Sequence, residues 1–327
     1  MSGITAGRRA LLAAGAALGA TGPLARPALA QETRPIRWIV AYPAGGGTDN
    51  IARTLSGPMS QILGQTIVID NRPGAAATLG ADAAAKSPAD GLTVFSGDPG
   101  SLVNAIGLFR RLPYDPARDF RGVGLFCDFP LAITVRKDSR YTSLAPYVEA
   151  AKRGDGAVAC GTPGNGSPHH LALVNFGRIA GVNLNIVPYR GGAPGLNDIL
   201  AGNLESMMLD IGTAGGAFRG GDVRALALTM PERWRWLNQV PLVKETYPDY
   251  RAAVWQGLVV PAATPDAVVR RLSDALARVM ADETVRDRLV NVGVEPLTSG
   301  PREFDELLAR DREYWVPLIR GAGITLE

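Results

Sequence analysis

Ser167, His169, His170 and Asp210 supply a hydroxyl, two imidazoles and a carboxylate, the side-chain types used in acyl transfer. Their spacing does not define a triad, and the G-x-S-x-G elbow that exposes a serine nucleophile is absent. Ser167 precedes Pro168, the pattern of a helix N-cap followed by proline at the first helical position. Adjacent histidines on one helix point in different directions, and neither sits in an H-E-x-x-H zinc pattern. A periplasmic serine hydrolase therefore stands as the alternative from a different class. No residue is assigned a catalytic or metal-binding role, and no cofactor motif is present.

A second chemistry is the non-covalent capture of an anion. Pro43-Ala44-Gly45-Gly46-Gly47-Thr48-Asp49 joins an alternating apolar run (Ile36, Trp38, Ile39, Val40) to one with helical spacing (Ile51, Ala52, Leu55, Met59, Ile62). A glycine-rich turn there can bring backbone N–H groups and a helix N-terminus against an anion, or serve only as a tight turn and cap. It is not a phosphate loop, because Thr48-Asp49 stands where a Lys-Ser/Thr pair would be required, and it lacks the spaced G-x-G-x-x-G fingerprint.

Three further strand-to-helix junctions carry polar groups. Gly161-Thr162-Pro163-Gly164-Asn165-Gly166-Ser167 offers glycine for close approach and neutral hydrogen-bonding groups at Thr162, Asn165 and Ser167. Tyr189-Arg190-Gly191-Gly192 offers a ring wall or hydroxyl at Tyr189. Asp210-Ile211-Gly212-Thr213 offers an acid that can orient a ligand donor, a water or a loop N–H.

The elements that must position these junctions alternate in an α/β rhythm. Strands are expected at Ile67–Ile69, Leu92–Phe95, Leu131–Val135, Leu184–Val187, Met207–Leu209 and Leu226–Leu228. Helices are expected at Ala75–Lys86, Leu144–Ala151, from Ser167-Pro168, from Pro194 to Leu200, from a Thr264-Pro265-Asp266 cap, and from about Pro301. The central stretch 128–228 is expected to form one α/β lobe, with 31–127 and 229–327 forming the other.

At the N-terminus, Arg8 and Arg9 precede the apolar run Ala10–Gly22, and Ala28-Leu29-Ala30 forms an A-x-A cleavage signature. Residues 1–30 thus read as a secretory signal peptide, exported by the Sec or twin-arginine route to the periplasm. Its removal takes Arg8, Arg9 and Arg26 and no acid, so 34 basic residues fall to 31 against 31 acids. A mature chain near neutrality, with no basic block or aromatic-basic interleaving, argues against nucleic acid as a partner. Cys127 and Cys160 are the only cysteines; export permits a disulfide between them, and two buried thiols are the other reading.

The motifs occur in an order that resembles the extracytoplasmic receptors of tripartite tricarboxylate transport systems, the Bug or TctC family. The resemblance runs from about Pro35 to Ile324. It is carried by Tyr42-Pro43-Ala44-Gly45-Gly46-Gly47-Thr48-Asp49, Asn71-Arg72-Pro73-Gly74-Ala75, Leu112-Pro113-Tyr114-Asp115, Gly164-Asn165-Gly166-Ser167, Val187-Pro188-Tyr189-Arg190-Gly191 and Gly257-Leu258-Val259-Val260-Pro261-Ala262. It implies a periplasmic binding protein type II-like architecture, a monomer whose two α/β lobes close around a small organic anion, often held by a carboxylate. The implied binding residues are Ala44, Gly45, Gly46, Gly47 and Thr48 at one junction and Thr162, Gly164, Asn165, Gly166 and Ser167 at the other. Asp210 is the implied second-lobe acid and Trp255 the later contribution, and Tyr189 joins the ligand-binding candidates through its ring or hydroxyl. The implied partner is a membrane transporter, with a sensor subunit as the alternative. Pro163 removes one backbone donor from the family pattern.

Overall fold

The computed structural model describes residues 34–326. The segment 1–30, read above as an export signal, lies outside them. The chain opens with β1 (Ile36–Val40), α1 (Gly47–Leu63), β2 (Ile67–Asn71), α2 (Thr78–Ala85), β3 (Thr93–Gly97), α3 (Ala105–Leu108) and β4 (Phe120–Asp128). It continues through β5 (Leu131–Arg136), α4 (Leu144–Ala151), β6 (Ala159–Thr162), α5 (Pro168–Ala180), β7 (Asn185–Pro188), α6 (Gly192–Ala201), β8 (Ser206–Asp210), α7 (Ile211–Gly220) and β9 (Val223–Leu228). The last part holds α8 (Val243–Thr246), β10 (Trp255–Pro261), α9 (Asp266–Met280), α10 (Glu283–Asn291), β11 (Glu295–Pro296) and α11 (Pro301–Gly321).

These strands form two sheets, ordered β11-β4-β10-β3-β1-β2 and β7-β6-β8-β5-β9. In the first, β1 runs parallel to β2 and β3, while β10 enters antiparallel between β3 and β4. In the second, β6 runs parallel to β7 and β8, and β5 is antiparallel to β8 and β9. The chain therefore crosses between sheets at β4–β5 and again between β9 and β10.

The period-2 pattern of β1 sends Ile36, Trp38 and Val40 to one face and Ile39 to the other. Helices α1 and α9 cover the first face, burying Leu55 and Met59 against Leu272 and Leu276. Helix α11 covers the opposite face with Phe304, Leu308, Trp315 and Ile319. In the second sheet, Leu131, Ile133 and Met208 pack with Tyr147, Leu173 and Phe176.

Four local expectations are revised. The helix expected from Ala75 starts at Thr78, because Ala75, Ala76 and Ala77 take φ values of 46°, 50° and 74° to turn the chain after β2. The Thr78 hydroxyl donates to Ala75 C=O at 2.7 Å and ties off that turn. Helix α9 starts at Asp266 without a side-chain cap; Thr264 Oγ1 is buried without a partner. The segment 229–254, placed above with the first lobe, packs Trp234, Leu242, Val243 and Tyr250 against residues of the second sheet. Cys127 and Cys160 are free thiols, one in each sheet's core, so no disulfide joins them. Burial pushes both thiols above their ordinary pKa, which keeps them protonated and unreactive.

Candidate functional site

The loop after β1 is organised by Asp49. This side chain is 1% exposed. It accepts from Gly45 N–H at 2.8 Å, Arg53 Nε at 2.8 Å and Asn71 Nδ2 at 2.9 Å. Burial works to raise its pKa, but the Arg53 guanidinium, the Gly45 N–H and the Asn71 amide together hold it below the ordinary carboxylate range. Asn71 also donates to Tyr42 C=O at 3.1 Å, which ties the end of β2 to the loop. Gly45 adopts φ +80°, a conformation that glycine takes without steric cost.

This network decides which donors remain. Gly45 N–H is taken by Asp49 and Gly46 N–H by Pro43 C=O at 3.2 Å. Gly47 and Thr48 open α1, where a helix has no internal acceptor for its first N–H groups. Gly46 at the N-cap supplies no side-chain cap. Thr48 Oγ1 accepts from Gln256 Nε2 at 2.6 Å, so the Thr48 hydroxyl keeps its own proton to donate.

The junction before α5 is arranged differently. Ser167 Oγ accepts from His170 N–H at 3.1 Å and lies 3.3 Å from Thr162 Oγ1. Pro168 at the first helical position has no N–H. His170 Nδ1 accepts from Gly166 N–H at 2.9 Å, and burial lowers this imidazole's pKa, favouring the neutral acceptor form. Asp210 caps α7 by accepting from Thr213 N–H at 2.7 Å and Thr213 Oγ1 at 2.9 Å. His169 Nε2 approaches Asp210 Oδ2 to 3.4 Å, an ion-pair distance without an aligned hydrogen bond. Burial opposes the charge on Asp210, but His169 and Thr213 outweigh it and hold the carboxyl below its usual range.

These junctions line a cavity of ≈ 620 Å³ that takes residues from both sheets. Of the sequence candidates, Gly47, Thr48, Gly164, Asn165, Gly166, Ser167, Asp210 and Trp255 line it. Ala44, Gly45 and Gly46 belong to the same loop but do not line the cavity. Thr162 is fully buried beneath the α5 junction, and Tyr189 turns away to donate its hydroxyl to Asp198 at 2.8 Å. Trp255 presents a ring wall, since its N–H goes to Asp311 at 2.7 Å.

The structure adds wall residues that sequence reasoning missed: Tyr42, Asp98, Phe109, Phe129, Val254, Gln256, Val292 and Val294. Asp98 accepts from the Tyr42 hydroxyl and from Ser101 N–H and Oγ at 2.8 and 2.7 Å. The Asp98-Pro99-Gly100-Ser101 turn at the end of β3 was the available signal for it. Gln256 gave no such signal, because a polar residue within a buried strand has no local pattern. No lysine or arginine lines the cavity among the described residues. The uncapped N–H groups at the start of α1 are the partial positive charges it can offer an anion. Opposite sides also meet closely: a Cβ on Gly293 would lie 2.5 Å from Gly212 Cα.

Residues 51–324 match the model of the tripartite tricarboxylate transporter family receptor. The chain is 34% identical, over 96% of its length and 94% of the relative's, to the UPF0065 protein in the tcbD-tcbE intergenic region of Pseudomonas sp. strain P51. It superposes on R. palustris Rpa4515 with adipate at a TM-score of 0.79, with 31% identity, 90% of this chain and 99% of that one covered. MatC (Rpa3494) from Rhodopseudomonas palustris with bound malate gives 0.75 at 28% identity, covering 88% and 99%.

Proposed function

The chain belongs to the tripartite tricarboxylate transporter receptor family, and we propose that it is a periplasmic receptor that captures a small organic carboxylate and presents it to a membrane transporter. The observation that carries this reading is the open first turn of α1, whose uncapped residues Gly47 and Thr48 line a cavity of ≈ 620 Å³. That volume suits a small metabolite. A carboxylate there accepts charge-assisted bonds from N–H and O–H donors and needs no lysine or arginine. Adipate and malate in the related Rpa4515 and MatC support the substrate class.

The cycle needs no covalent step. The ligand's carboxylate docks on α1, the second sheet with its helices closes from the other side, and Gly164, Asn165 and His169 cover it. Burial then strengthens each bond by excluding water. The serine hydrolase reading finds less support. Ser167 Oγ is engaged by His170 N–H and Thr162, and the His170 ring nitrogen is engaged by Gly166. The periplasmic location rests on the segment 1–30 read as a signal peptide. Among the described residues no helix is long and apolar enough to cross a membrane.

A thermal-shift screen of the mature protein against mono-, di- and tricarboxylates tests this reading. At least one acid should raise the transition, with calorimetry giving saturable binding and mass spectrometry showing the acid unchanged. Turnover of the acid, or stabilisation by none of the acids, would overturn it.

A further inference from the structure

Two buried side-chain polar atoms of residues lining the cavity have no hydrogen-bond partner: Gln256 Oε1 on the first-sheet side and His169 Nε2 on the second, the latter meeting Asp210 only at ion-pair distance. Gln256 is 4% exposed. It enters from the start of β10, where it pairs with Cys127 of β4. Its Nε2 donates to Thr48 Oγ1 at 2.6 Å, which sets the amide beside the donors that receive the carboxylate. The same bond leaves the carbonyl oxygen as a pure acceptor with no donor in the protein.

A buried acceptor without a donor is costly, and a site that carries one discriminates against ligands that cannot satisfy it. We infer that Gln256 is a specificity-determining residue whose Oε1 accepts from a hydroxyl or amine hydrogen that the ligand carries one or two bonds from its carboxylate. The inference rests on the carboxylate reading above and deepens it. Thr48 links the two contacts: it accepts from Gln256 and donates to the carboxylate, so both ends of the ligand's hydroxy-acid or amino-acid head meet one hydrogen-bonded chain. The apolar walls at Phe109, Val254 and Val292 then take the rest of the ligand.

The test is calorimetry on matched probes: succinate, malate and aspartate; butyrate and 2-hydroxybutyrate; phenylacetate and mandelate. In the wild-type protein, within each set that binds, the donor-bearing acid should bind about tenfold tighter than the unsubstituted one. Gln256→Leu should remove that ratio by weakening the donor-bearing acid to the level of its partner. Gln256→Glu keeps an acceptor and should keep the ratio while weakening every acid through charge repulsion. Should the leucine variant not fold, the wild-type ratios and the glutamate variant carry the decision. Equal affinities within the sets, or tighter binding of the unsubstituted acids as an amide N–H facing the ligand would give, overturns the inference and leaves the carboxylate reading standing. Failure of every carboxylate to bind removes both.

Discussion

The strand-to-helix junctions before α1 and α5 both place a helix N-terminus at the cavity, yet their donors have different fates. At α5 the protein itself takes up most of the first turn: Ser167 caps His170 N–H, Pro168 has no N–H, and His170 receives Gly166 N–H, which leaves only His169 N–H. At α1 the acid that might have capped the turn reaches backward instead. Asp49 takes Gly45 N–H and leaves Gly47 and Thr48 uncapped. One helix end is therefore mostly satisfied within the protein, and the other keeps two uncapped N–H groups, which the proposed function assigns to a ligand. A helix dipole is present at both, but only an open N–H can form the short bond that makes it an anion site.

The largest effect should follow from removing the group that keeps α1 open. Asp49→Ala strips three donors of their acceptor and should cost about 2–3 kcal/mol of stability in chemical denaturation. The pH dependence has a defined sign. The folded-state pKa of Asp49 lies below the unfolded one, so its stabilisation is present above about pH 4 and is lost as pH falls toward the folded value. Asp210 contributes with the same sign. Asp49→Asn should therefore flatten the acid limb of a stability–pH curve.

Next comes Thr48→Ala, which removes one donor to the carboxylate and should weaken binding about tenfold in calorimetry. Ser167→Ala should behave in the opposite way. It should cost about 1 kcal/mol of stability as a lost cap while changing affinity less than about threefold. Equal affinity losses in these two variants would erase the distinction between the junctions. The smallest effect is expected for Tyr189→Phe, whose hydroxyl serves Asp198 outside the cavity; binding should be unchanged in the same titration.

The sequence announced the junctions more clearly than their division of labour. The period-2 run of β1 and the helical spacing of Ile51, Leu55 and Met59 are local patterns, and both formed as expected. Ser167-Pro168 is likewise a local signal, and it caps α5. The roles of Gly45 and Tyr189 were not legible, because both depend on where Asp49 and Asp198 point. Gln256 was invisible for a stronger reason: it reaches Thr48 across 208 positions of sequence. The alanines at 75–77 misled in the other direction. Helix propensity favoured a helix there, and the turn needed after β2 overrode it.

Backbone NMR of the isotopically labelled protein, titrated with an acid that binds, follows each N–H separately. The amide protons of Gly47 and Thr48 should shift downfield as they gain a carboxylate acceptor, while those of Gly166 and His170, already bonded within the protein, should stay within the range of residues remote from the cavity. The reverse pattern, with Gly166 and His170 moving and Gly47 and Thr48 still, would mean that the anion sits on α5 and that the open turn of α1 is not its site.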